Sequence, residues 1–174
     1  MRRVVLLAWC LAECGRAHSN PNVTMTSQAF IVSAYLAVAG DAGVCALATR
    51  QARLPETREL GAAVHRTFTS MRNDLAAVAQ RRRLPLPKGI EEKKQALADN
   101  LATLPGQRFD EGYALAMLQD TRSLLQTFDA AAALPDPDVH NIVNKYRAQL
   151  QDEQRTSSRL LTRLGGPPWP AFTP

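Results

Sequence analysis

Four long stretches of this chain repeat apolar residues every three or four positions, and proline or glycine breaks every one of them. That pattern constrains the fold more than any other feature, because only an α-helix turns such a spacing into one continuous face. The stretch opened by Pro55 carries Leu60, Val64, Phe68, Met71, Leu75 and Val78. A later one carries Phe109, Tyr113, Met117, Leu124 and Phe128. The last carries Val139, Val143, Tyr146, Leu150, Ser157, Leu160 and Leu164. Alanine and leucine dominate while β-branched and aromatic residues are sparse, which favours helix over strand.

The breakers set the boundaries. A first helix is expected from about Ser27, as N-cap, to about Arg53, and a second from Pro55 to about Arg83. Leu84-Pro85-Leu86-Pro87-Lys88-Gly89 reads as an extended connection. A short helix over about Ile90 to Leu104 precedes Pro105-Gly106, and a long one runs from about Gln107 to Ala133. Pro135-Asp136-Pro137-Asp138 breaks the chain again, with Asp136 or Asp138 able to cap a final helix from about Val139 to Leu164. Four long helices with these links predict an all-α, antiparallel four-helix bundle over residues 27–164, with an extra short helix before the third long one. Residues 165–174, with Trp169 and Phe172, read as a disordered tail.

The N-terminus reads as an export signal over residues 1–17. Arg2-Arg3 is followed by the apolar run Val4 to Ala12, and Gly15-Arg16-Ala17 offers small residues before a cut at His18. A linker over residues 18–26 follows. Leu11-Ala12-Glu13-Cys14 is a rival cut resembling a lipobox, which would lipidate Cys14, although Glu13 is a poor residue before the cysteine. These features predict a periplasmic or other extracytoplasmic location, with outer-membrane association among the alternatives. Between Ala29 and Thr49 only Asp41 is charged. That length can span a bilayer, but Asp41 would cost ~3 kcal/mol there. A buried bundle helix accounts equally for the small residues.

Charge and motifs exclude several function classes. The net charge is +5. Residues 1–17 hold Arg2, Arg3 and Arg16 against Glu13, so the remainder carries 18 basic and 15 acidic side chains, +3. That is too weak to argue nucleic-acid binding. Arg81-Arg82-Arg83 is expected to complement a helix dipole on a solvated surface. No GxSxG elbow, HExxH pair, phosphate loop or GxGxxG occurs, so no enzyme and no cofactor is expected. Cys45 reads as an inert buried thiol. His65 and His140 lie off the stripes, and no acid stands three before His18, His65 or His140, as a di-iron Glu-x-x-His pair requires.

Phe109-Asp110-x-x-Tyr113-x-x-x-Met117-x-x-Asp120, with the Pro55-Glu56 opening and the Leu84-Pro85-Leu86-Pro87 stretch, resembles the domain-of-unknown-function family 4142. The resemblance covers about Gln28 to Leu161. It implies a ferritin-like helical bundle of the bacterial cell envelope, with outer-membrane proteins among its members. This chain departs from the pattern at its polar positions. The histidine that follows Asp120 in the family is Thr121 here, and the Asp-His of the second helix becomes Thr67 and Phe68. A family histidine falls near Glu153 and a family glutamate near Asp41.

Asp41, Thr121 and Glu153 are therefore the candidates for a polar core layer, each interrupting an apolar stripe. With no imidazole among them, no transition-metal site is expected. Asp41 and Glu153 are expected to hold a hard cation weakly, to stay protonated, or to pair with a basic residue or with Tyr146 or Arg147. The resulting expectation is an exported, non-catalytic bundle with an envelope protein or membrane surface as its partner. A degenerate ferritin-like binder of a metal or small ligand and a membrane-anchored protein are the alternatives.

Overall fold

The computed structural model describes residues 25–165, and every element in that range is helical. In chain order these are α1 (Ser27–Ala39), α2 (Asp41–Gln51), α3 (Pro55–Arg81), α4 (Glu92–Ala102), α5 (Gln107–Ala131) and α6 (Pro137–Arg163). The expected signal, the Cys14 lipidation site and the tail beyond Gly165 lie outside the described residues.

Local chemistry explains the boundaries. The Thr26 side chain, not Ser27, caps α1, accepting from the Ala29 N–H at 3.1 Å. Pro55 and Pro137 sit in the first turns of α3 and α6, where a missing N–H costs nothing. Asp136 caps α6 by accepting from the Asp138 and Val139 N–H groups. The first long helix is not continuous, as expected from sequence, but breaks at Gly40 into α1 and α2 and ends at Gln51. A Cβ on residue 40 would stand 2.9 Å from both Cβ and Cγ of Lys94, so the bare glycine lets α4 approach at that point.

The α1–α2 pair, α3, α5 and α6 form the four sides of the bundle. The end of α3 meets the start of α6 through Arg82, and the start of α3 meets the end of α6 through Arg163–Glu56, so these helices are antiparallel. Phe30, early in α1, packs edge-on against Phe128, late in α5, with ring centres 5.4 Å apart. Asp110 at the start of α5 reaches Arg53 and Leu54 at the start of α3, so α3 and α5 point the same way. The chain therefore makes one long crossover between the two helical pairs, and α4 lies on it.

The three stripes read from sequence are the core. Phe30, Val64, Met71, Leu75, Phe109, Met117, Phe128, Val139 and Leu150 are fully enclosed. Ser27–Gln51 is long enough to cross a membrane, and its most apolar 18 residues have a mean hydropathy of 1.8, yet half of those are buried inside the bundle.

Candidate functional site

The most unusual chemistry lies beneath α4. Lys94 Nζ sits 2.8 Å from Asp41 Oδ1 of α2 and 2.7 Å from Asp120 Oδ2 of α5. The Lys94 and Asp41 side chains are 8% and 1% exposed, against 22% for Asp120. Leu97, Ala98 and Leu101 follow Lys94 along the same face of α4, and this apolar stripe turns the lysine inward. One ammonium thus faces two carboxylates in a poorly solvated place.

Burial opposes every charge here. It works against the Lys94 ammonium, but Asp41 and Asp120 outweigh it and the lysine pKa rises. Burial pushes Asp41 up to about 6, with Lys94 partly offsetting it and Asp120 adding to it. The site carries one surplus negative charge, and Asp41 is its more enclosed carboxylate. Its Oδ2 has no hydrogen-bond partner. A cavity of about 250 Å³ opens beside the triad, lined by Asp41, Lys94, Asp120, Glu91, Ser33 and Phe68 among others.

Glu153 of α6 is the second buried carboxylate. Burial raises its pKa to about 7, with the Thr67 hydroxyl and Arg66 partly offsetting this and Asp152 adding to it. Its Oε2 also lacks a partner. Asp41 and Glu153 do not share a cavity. Asp41 and Phe68 line the cavity beneath α4, whereas Glu153 lines a cleft with Glu56, Glu59 and Leu60. Cys45 and Tyr113 both feel the charges of Asp41 and of Glu153. The Tyr113 hydroxyl donates to Cys45 Sγ at 4.0 Å. Burial pushes the Cys45 thiol up to about 12, so it stays protonated.

Two sequence-based assignments need correction. Thr121 joins no shared polar layer: its hydroxyl donates to the Met117 carbonyl of its own helix at 2.7 Å. Tyr146 and Arg147 do not serve the buried carboxylates. Tyr146 donates to Asp74 at 2.6 Å, and Arg147 pairs with Asp129. His65 and His140 are exposed. Among the described residues, no three His, Cys, Asp or Glu side chains come together to hold a metal ion.

The arginine run also differs from its expected role. Arg82 grips Asp136 through two bonds of 2.6 Å and also binds Asp138, while Arg81 binds Asp138 at 2.8 Å. It ties the end of α3 to the start of α6 and holds Asp136 well below the usual carboxylate range.

Lys94 was missed by sequence reading, although its place at the head of an apolar stripe was a visible signal. Asp110 was seen only as part of a motif. Fully buried, it accepts the Arg53 and Leu54 N–H groups, both at 3.2 Å, and so fixes the turn between α2 and α3. Phe109 stacks on Tyr113 with ring centres 5.9 Å apart, Met117 fills the core, and Asp120 anchors Lys94. The Phe-Asp-Tyr-Met-Asp run therefore serves packing, a turn clamp and a buried ion site.

Fold and site together define an all-helical bundle with one crossover and an ion triad buried under the crossing helix. The sequence model of the domain of unknown function DUF4142 matches residues 12–160, and the chain belongs to that family. No curated protein and no solved structure matches the chain.

Proposed function

We propose that this chain is an exported, non-catalytic helical bundle of the bacterial cell envelope that acts as a binding module. The observation that carries the binding role is the pair Asp41 and Glu153. Each is a buried carboxylate with one partnerless oxygen, and each lines an open cavity. A bundle selected only for packing gains nothing from such groups, because a buried carboxylate with an unpaired oxygen is costly or takes up a proton. A non-catalytic role is supported by the state of the obvious nucleophiles: the Cys45 thiol and the Lys94 ammonium both hold their protons near neutral pH.

Export is supported by the basic Arg2-Arg3 and the apolar Val4 to Ala12 ahead of the bundle. It places the partner among envelope components or at a membrane surface rather than among nucleic acids. A membrane-anchored form is the second reading, favoured by the apolar Ser27–Gln51 segment and by Cys14. The ferritin-like alternative, with a metal at Asp41, is weakened by the Lys94 ammonium already bound there.

Intact-mass analysis of the protein from fractionated cells tests this reading. An extracytoplasmic form beginning at or near His18, or at a lipidated Cys14, is expected. A cytoplasmic chain that keeps Met1 to Ala12 would overturn it.

A further inference from the structure

The cleft over Glu153 has no basic residue in its lining. It holds about 310 Å³ between the first half of α3 and the second half of α6. Its lining has four ionisable residues, Glu56, Glu59, Asp152 and Glu153, and all are acidic. Two of them are neutralised at the rim. Arg163 binds Glu56 at 2.9 Å, and Arg155 binds Asp152. Glu59 forms no ion pair among the described residues, and Glu153 has only the Thr67 hydroxyl and the more distant Arg66. Glu153 is 6% exposed, with Oε2 lacking any partner.

Two features select the ligand. The carboxylates do not converge as a metal shell requires, since no three of them come together to hold an ion. Leu60 and Ala63 line the same cleft and give it apolar surface suited to methylene groups. A ligand with a cationic head and an alkyl stem satisfies both.

We propose that this cleft is a binding site for a primary alkylammonium group, whose charge is held between Glu59 and Glu153 and whose methylenes lie on Leu60 and Ala63. The cation need not touch Oε2. Glu59 is exposed while Glu153 is enclosed, so the cation enters from solvent and its field partly offsets the buried carboxylate. The proposal rests on the reading of the bundle as a binding module, and gives that module its ligand chemistry. A polyamine and a lysine side chain on a partner protein carry the same group.

Calorimetric titration of the purified full chain at near-neutral pH and low salt tests it, with spermidine and Nα-acetyl-lysine methylamide as separate probes and calcium as a control. Saturable one-to-one binding of at least one amine is expected, weakened about tenfold by Glu59→Gln and by Glu153→Gln, the equivalent of losing one close charge contact. Glu92→Gln, on exposed α4 surface, leaves it unchanged. Tighter binding of spermidine identifies a polyamine as the source, and tighter binding of the lysine probe identifies a partner side chain. Glutamine is isosteric with glutamate, and an unchanged helical circular dichroism spectrum verifies that each variant is folded. No saturable binding up to about 10 mM amine overturns the proposal. So does equal weakening by Glu92→Gln, or stoichiometric calcium binding that displaces the amine. Export is measured independently, so either result leaves the envelope location standing or falling by itself.

Discussion

Asp41 and Lys94, 53 residues apart in sequence, are joined by a 2.8 Å charged hydrogen bond inside the protein. Gly40 makes room for the lysine stem, and Asp41 follows it as the first residue of α2. A carboxylate there also complements the N-terminal end of the α2 dipole.

Removing one partner should be worse than removing the pair. Lys94→Ala leaves Asp41 and Asp120 facing each other without a cation and is expected to cost about 3–5 kcal/mol. Asp41→Leu combined with Lys94→Met should recover part of that loss, since only Asp120, at 22% exposure, then lacks its cation. Urea unfolding midpoints of the two variants check the difference. Equal losses in both would show that the site matters only for packing.

Glu153 makes stability fall as pH rises. Its pKa is about 7 in the folded chain, against 4.5 when unfolded. Between those values the folded state binds more protons than the unfolded state, so the contribution is intact below about pH 4.5 and is lost by about pH 7. The loss is on the order of 3 kcal/mol. Glu153→Gln should abolish this part of the pH dependence and stabilise the protein above neutrality. Unfolding midpoints across that range read the slope directly, and an unchanged slope in the variant would refute the assignment.

Gly61 is a contact point between helices. A Cβ there would lie 2.5 Å from the Ala48 Cβ and 3.3 Å from the Tyr113 hydroxyl. Neither Cβ can move without its helix backbone. Gly61→Ala is expected to lower stability by about 1–3 kcal/mol despite the better helix propensity of alanine. Thermal denaturation monitored by circular dichroism measures it, and a stabilised variant would contradict the close packing of α2 on α3.

Arg83 has the left-handed φ of 55° just past the end of α3. There the Leu84 N–H closes the helix by donating to the Ala79 carbonyl at 2.9 Å. Arg83 is exposed and forms no ion pair among the described residues, so its Cβ contributes only strain. Arg83→Gly should raise stability by about 0.5–1 kcal/mol, whereas Arg82→Gly should lower it by breaking the grip on Asp136. The two unfolding midpoints should move in opposite directions.

What the sequence determined by itself was local and periodic. Steps of three and four gave the helices and their buried faces, because side-chain direction along a helix follows from spacing alone. Proline, glycine and aspartate gave the ends to within a few residues, because their backbone chemistry acts at short range. The Phe109-Asp110-Tyr113-Met117-Asp120 run gave the family. Tertiary structure alone decided the rest. Lys94 finds Asp41 only because the crossover carries α4 over the break at Gly40, and no spacing within either helix encodes that approach. Thr67 and Phe68 are adjacent in sequence yet serve different carboxylates, with Thr67 at Glu153 and Phe68 beside Asp41. Whether Asp41 and Glu153 share a layer was a question of register between separate helices. Register is set by how whole faces interlock, and here that packing gives Asp41 and Glu153 separate cavities.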